Sequence, residues 1–366
     1  MDRSVRCFAV IPFAWAVLSL TCVANAHARQ AAGTASPVRS GARPEVKSQI
    51  DALLRVRQIP AALDAYEKYV APAKSEDGAL LASIARASLQ LLATEQRAVD
   101  VRPAALERLA AYGDLDARNE LALAAAGEHT LTREALAADT ALARLGDQKA
   151  VTRLGERLFS PDLRDKIFLI DALVAANARA SAYLLVSLLQ DRDPVTRSAA
   201  ADALGALGAR EAVPQLQELL TDEDGSVRLS AAASLKQLGS DAADEQIAQM
   251  LMSPAADVRL MAAEALANGK RKQWVEVVRP MLQDPNGLLR LHAAKLFARV
   301  EPVAARDVLV KATSDQNPVV RDAASTILES IPPYDLALMR RLLRDSNPIV
   351  RVRAAGAILK ATASPR

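Results

Sequence analysis

Cysteine is nearly absent from this 366-residue chain: there are 2, Cys7 and Cys22, and both fall within the first 26 residues. Beyond residue 26, disulfides, thiolate nucleophiles and cysteine-held metals are excluded together. Histidine is as scarce, with His27, His129 and His292 scattered singly, which argues against a metal site built on imidazoles. Aromatic residues make up 3% and glycine numbers 14, so a strand-rich fold with glycine-marked turns is disfavoured. Neither charge sign is in large excess. Lys and Arg total 46 against 43 Asp and Glu, a formal +3, without the basic surplus of a dedicated nucleic-acid binder. No Gly-x-Ser-x-Gly elbow and no glycine-rich loop ending in Gly-Lys-Ser/Thr occurs. No catalytic residue, metal ligand or cofactor is therefore expected, and no nucleic-acid partner.

What the chain has instead is alanine, its most frequent residue, within a hydrophobic content of 51%. That composition suits closely packed helices. Residues 1–26 form a separate segment: Arg3 and Arg6, an uncharged run over 7–24, then the small residues Ala24 and Ala26. This is the pattern of a secretory signal peptide cut before His27, which places the mature protein in the periplasm or outside the cell. The competing reading is an uncleaved anchor, since the run is at the lower length limit for spanning a bilayer. Residues 27–44 mix Ala, Gly, Ser, Pro and Arg without periodicity and read as a disordered linker.

The rest of the chain repeats. Arg197, Arg228, Arg259, Arg290 and Arg321 recur every 31 residues, Arg351 follows after 30, and Lys166 keeps the charge one step earlier. Seven residues after each comes an apolar anchor: Leu173, Leu204, Leu235, Leu266, Phe297, Leu328 and Ile358. Asp193, Asp224, Asn286, Asn317 and Asn347 stand before Pro or Gly as N-caps, and a helix of about 14 residues is predicted to start at each. Ala200, Ala231, Ala262, Ala293, Ala324 and Ala354 lie four residues before the anchors, on the same helical face, where small side chains allow close helix approach. A shorter amphipathic segment precedes each long helix, as in 211–220. Two helices per unit at a period of about 31 residues predict an all-α fold, an α-solenoid in which each unit touches only its neighbours.

The unit Asp-x-Asp/Asn-Pro-x-Val-Arg-x-x-Ala-Ala-x-x-Leu resembles a HEAT repeat, of the short kind also found in phycobilisome-lyase-type proteins. The resemblance covers residues 129–366. Residues 45–128 fit less well and resemble a tetratricopeptide helix pair or an eroded HEAT unit. The family resemblance implies a curved superhelix that acts as a protein-binding scaffold, and it implies no reaction. The HEAT-like deoxyhypusine hydroxylases hold iron with paired His-Glu motifs, whereas Glu128-His129 is reversed in order and unrepeated.

Three sets of charged residues remain to be assigned. Asp191, Asp222, Asp284, Asp315 and Asp345 lie six residues ahead of Arg197, Arg228, Arg290, Arg321 and Arg351. With Arg259, whose acid is missing, they are expected to form a structural ladder along the turns. One unit departs from the pattern: its turn reads Lys270-Arg271-Lys272-Gln273-Trp274, with Trp274 where sibling units have Ala212, Ala243 and Ala305. Ser253 and Ala255 replace its turn acids. Lys270, Arg271, Lys272 and Trp274 are the candidate partner-binding residues, suited to an anionic or aromatic group, against the plainer reading that the indole fills a gap between helices. Finally, 340–366 holds Arg340, Arg341, Arg344, Arg351, Arg353, Lys360 and Arg366 against the single acid Asp345, a candidate contact for an anionic surface.

The expected function is a non-enzymatic, protein-binding scaffold of the cell envelope or periplasm. The alternatives are a bilin-lyase-like enzyme or chaperone, suggested by the type of repeat, and a membrane-surface docking protein acting through the basic C-terminus.

Overall fold

The computed structural model describes residues 38–39, 44–73, 75–94, 100–126, 132–159, 163–267 and 274–363. The signal segment 1–26, His27, His129, Lys270, Arg271, Lys272 and Arg366 lie outside them. The described residues form α1 (Pro44–Arg55), α2 (Ile59–Val70), α3 (Gly78–Leu92), α4 (Val101–Ala111), α5 (Leu115–Ala125) and α6 (Arg133–Arg144). Next come α7 (Gln148–Glu156), α8 (Leu163–Ala175), α9 (Ala182–Leu188), α10 (Pro194–Ala206), α11 (Val213–Glu218), α12 (Gly225–Gln237) and α13 (Asp244–Leu251). The last are α14 (Ala256–Ala267), α15 (Trp274–Val278), α16 (Gly287–Phe297), α17 (Pro302–Ala312), α18 (Pro318–Ser330), α19 (Leu336–Leu342) and α20 (Pro348–Thr362). The fold is an all-α solenoid of helix pairs, and no helix among the described residues is long and apolar enough to cross a membrane.

The long helices begin where their caps place them. Asp193 accepts from the Thr196 N–H, Asp224 from Ser226 and Val227, Asn286 from Leu288 and Leu289, Asn317 from Val319 and Asn347 from Ile349. Each cap satisfies one or two amide groups that the first turn leaves without intrahelical partners, contributing about 1 kcal/mol per helix. The predicted alanine stripe is wholly buried, and so are the anchors Leu173, Leu204, Leu235, Phe297, Leu328 and Ile358. Leu266 is the exception and is only half-buried. Gly205 shows how tightly the stripe packs: a Cβ there would lie 2.6 Å from the Ser234 hydroxyl, so α10 and α12 meet almost backbone to backbone.

Packing divides the chain into two compact units, Gln148–Met252 and a second that joins the described residues of Leu20–Asp147 to those of Ser253–Arg366. The boundary expected at 128/129 does not separate packing units, since α5 and α6 pack together across it. Nor does each repeat touch only its neighbours. Within the second unit α3 packs along α20, burying Leu81, Ile84 and Ala85 on one helix and Val352, Ala355 and Ile358 on the other. A terminal repeat needs its apolar outer face covered, and here an N-terminal helix covers it.

Polar contacts reinforce that seam. The buried Tyr66 hydroxyl donates to Glu76 Oε2 at 2.9 Å and accepts the Asp77 N–H at 2.8 Å. Arg340 Nη1 donates to the other Glu76 oxygen, and Arg344 Nη2 to Asp64 Oδ1 at 2.7 Å. Residues 27–44 depart from a linker at two places: Val38–Arg39 pairs in parallel with Glu76–Asp77, and Pro44 opens α1.

Candidate functional site

The repeated charges join units, but not in the pairing that the six-residue spacing suggests. Arg197 turns Nη1 to the carbonyls of Asp191 and Arg192 at 2.9 and 3.2 Å, so the aspartate six residues ahead offers its backbone. The other guanidinium edge reaches the next unit, with Nε and Nη2 donating to the two Asp222 oxygens at 2.9 and 2.8 Å. Arg321 repeats the arrangement with the Asp315 carbonyl and a bidentate pair to Asp345 at 3.0 and 3.2 Å. Lys166 reaches Asp191 at 2.8 Å. Each acceptor aspartate also receives the N–H two residues on, as Asp222 does from Asp224 at 2.9 Å. The Arg197 hydrogen bonds hold the Asp222 carboxyl below the usual carboxylate range, outweighing burial.

Not every ladder arginine has a carboxylate. Arg228, Arg259 and Arg351 make their hydrogen bonds to carbonyls: Asp222 and Glu223, Ser253 and Pro254, and Asp345 and Ser346. Arg259 thus keeps its backbone contacts although its turn has lost its acids. A graded result is expected from alanine substitution. Arg197→Ala strands Asp222 in a pair whose side chains are each 9% exposed and should cost about 2 to 3 kcal/mol. Arg228→Ala should cost about 1 kcal/mol. Chemical denaturation measures both, and the reverse order would contradict the assignment.

A second charged group lies inside the second unit, and no repeat spacing announces it. Arg108 on α4 donates Nε and Nη2 to Glu329 on α18 at 2.9 and 3.1 Å, and Nη1 to Glu107 at 2.9 Å. Arg144 on α6 completes Glu107 at 3.2 Å. Arg353 on α20 stands 3.8 Å from both Glu329 and Asp322. Burial, then repulsion from Arg108, lowers the Arg353 pKa, while burial raises that of Asp322. The cluster is a set of ionic cross-links between N-terminal and C-terminal helices.

In the first unit, burial and then the charge of Asp202 push the Asp171 carboxyl up to about 7, and its Oδ1 has no hydrogen-bond partner. An unfolded aspartate ionises near 3.9, so this group is protonated in the folded chain while ionised in the unfolded one across the interval between. Its contribution to stability is complete below about pH 4 and is lost as pH rises through about 7. Asp171→Asn is therefore expected to stabilise the protein by about 1 to 3 kcal/mol at pH 8 and to change little at pH 4. Thermal melts at the two pH values check this, and no gain at pH 8 would contradict it.

Trp274 is packed in the core, as the plainer reading expects. It is 2% exposed, sits edge-on to Phe297 with ring centroids 6.5 Å apart, and fills the core position that Ala212, Ala243 and Ala305 occupy fully buried elsewhere. Its register was the signal: a position that is core in every sibling is core here. Lys270, Arg271 and Lys272 lie outside the described residues. The basic C-terminal stretch makes contacts within the chain. Arg340 and Arg344 pair with Glu76 and Asp64, Arg341 donates to Thr313 Oγ1, Arg351 serves carbonyls and Lys360 sits over the Tyr334 ring. These side chains hold partners within the chain, while Arg341, Arg344 and Lys360 remain exposed. Burial, against the opposing pull of Glu264, lowers the pKa of His292 and favours its neutral imidazole.

An open groove of about 1050 Å³ runs between the 3-10 turn Arg279–Gln283 and α17 in the second unit. Sequence reasoning missed it, because it depends on the spacing of two neighbouring repeats.

An all-α array of capped helix pairs joined by an Arg-Asp ladder defines the class of protein, a helical-repeat solenoid. Residues 151–236, 181–267 and 244–329 match the family model of HEAT repeats, so the stretch 151–329 is built of HEAT repeats. Among solved structures it is similar to the complex of CpcE and CpcF of phycocyanin lyase from Nostoc sp., at 22% identity, 68% of this chain, 94% of that chain and a TM-score of 0.41. It is also similar to human deoxyhypusine hydroxylase, at 20% identity, 69% and 98% coverage and a TM-score of 0.36. An engineered protein aligns with 88% of this chain and all 100% of its own, at 19% identity and a TM-score of 0.36. No activity is carried over from these likenesses. The comparison with curated proteins finds no match.

Proposed function

We propose that the protein is a non-enzymatic scaffold that binds a protein partner through the surfaces of its helix pairs, and that it works in the periplasm or cell envelope. The supporting observation is the ladder. Within each compact unit, capped turns and Arg-Asp rungs hold neighbouring helix pairs in a regular frame, so that side chains of successive repeats are displayed side by side. Where a rung is complete, as at Arg197–Asp222 and Arg321–Asp345, its charges are engaged in that frame, which leaves recognition to the rest of the surface. Export rests on the signal-peptide pattern of residues 1–26.

The test is affinity capture from the native cell envelope, with intact-mass analysis of the protein recovered from the periplasm. One stoichiometric protein partner and a mass lacking residues 1–26 are expected. Recovery of the protein only in the cytoplasm would overturn the location. A visible absorption band after incubation with a bilin, without a captured partner, would overturn the scaffold in favour of the lyase-like alternative.

A further inference from the structure

Two of the ladder aspartates lack a hydrogen-bonded cation, and both line the groove beside α17. Asp284 takes the Asn286 N–H at 2.8 Å, while Arg259, the arginine 25 residues before it, directs Nη1 to the carbonyls of Ser253 and Pro254. Asp315 takes the Asn317 N–H at 2.9 Å, and Arg290 Nη2 stops 3.6 Å from its other oxygen, beyond hydrogen-bond reach. Elsewhere in this chain the aspartate of the same turn receives a guanidinium with two hydrogen bonds, at Asp222 and at Asp345. The groove thus contains one acceptor position, Asp284, of a kind that this fold fills with arginine and that is not filled, and a second, Asp315, whose arginine stands off in a looser ion pair.

The rest of the lining fits the same visitor. Leu282 and Val308 supply apolar floor, and the exposed Asp307 adds a third carboxylate on α17. Val303, one helical turn before Asp307 on the same face, is 74% exposed and extends the apolar surface past the groove's edge. Arg290 and Lys311 only partly offset the three carboxylates. We infer that this groove docks a segment of the partner protein that presents an arginine beside an aliphatic side chain. The arginine bonds Asp315 and Asp307 through charge-assisted hydrogen bonds like those of a ladder rung, and the aliphatic group covers Leu282 and Val308. This assignment rests on the scaffold reading and gives it a place and a chemistry.

The experiment uses the full chain and a short fluorescein-labelled peptide repeating alanine, leucine and arginine, compared with the same peptide carrying glutamate for arginine. Fluorescence anisotropy is expected to show the arginine peptide binding about tenfold tighter or more, with the preference weakening as salt is raised. The double variant Asp307→Asn, Asp315→Asn keeps the turn's acceptor for the Asn317 N–H. It should lose about tenfold in affinity at unchanged Tm, while Asp116→Asn on the exposed face of α5 should lose nothing. Equal binding of the two peptides, an unaffected double variant or an equal loss in Asp116→Asn would each overturn the groove. Capture of the natural partner by the double variant at wild-type yield would also overturn it while leaving the scaffold standing.

Discussion

Gly356→Ala is expected to destabilise the full chain by about 2 to 4 kcal/mol, although glycine-to-alanine exchange within a helix ordinarily stabilises by about 0.5 to 1 kcal/mol. Gly356 lies inside α20, and a Cβ there would stand 2.6 Å from Glu329 Oε1 and 2.9 Å from Cδ and Nε of Arg108. Those atoms are the ends of flexible side chains, but they are locked in a bidentate pair whose side chains are only 14% and 17% exposed. Making room for a methyl group means separating the pair, and a separated buried ion pair costs far more than helix propensity returns. The same exchange in an Arg108→Ala background should lose much less, because the Arg108 atoms are gone and Glu329, released from the pair, can swing aside. A double-mutant cycle read by chemical denaturation checks this, and a stabilised Gly356→Ala would remove the claim that α20 is clamped to α4 and α18.

The second large effect is expected at Trp274. Trp274→Ala should cost about 3 to 5 kcal/mol, the penalty of emptying a packed indole site. Its ring closes on Phe297, which also carries the Arg279 guanidinium 5.2 Å from its centroid, so truncation opens the joint between α15 and α16. Partner capture per folded molecule should remain unchanged. A variant that melts like the wild type but no longer captures the partner would restore Trp274 as a contact residue.

Much of the array was legible because periodicity exposes it. The 31-residue step of the arginines, the caps and the alanine-anchor pairs each mark one helix face, and the fold places them there. The ladder was legible in its members but not in its pairing. Spacings of 6 and 25 residues connect the same aspartates and arginines, and only the turn geometry assigns carbonyls to the first and carboxylates to the second. The seam was not legible, since Arg108 and Glu329 are 221 residues apart and belong to no common repeat position. One trace of it was readable. Gly356 stands where sibling helices have Asp202, Ala233, Glu264, Lys295 and Thr326, and a lone glycine in such a series marks a close approach. The groove left no trace, because an open rung at Asp284 and a loosened one at Asp315 are defined by distances that no spacing encodes.

The central claim is that helices near the start of the chain and the last repeats pack as one body. Arg344→Lys in the full chain, treated with a carbodiimide that joins only amines and carboxylates in contact, tests it most directly. Arg344 Nη2 lies 2.7 Å from Asp64 and 3.5 Å from Glu67, and Lys166 lies 2.8 Å from Asp191 as an internal control. Mass spectrometry of the monomer should find position 344 joined to Asp64 or Glu67, beside the Lys166 to Asp191 product. The control product without any link from 344 to α2 would contradict the account.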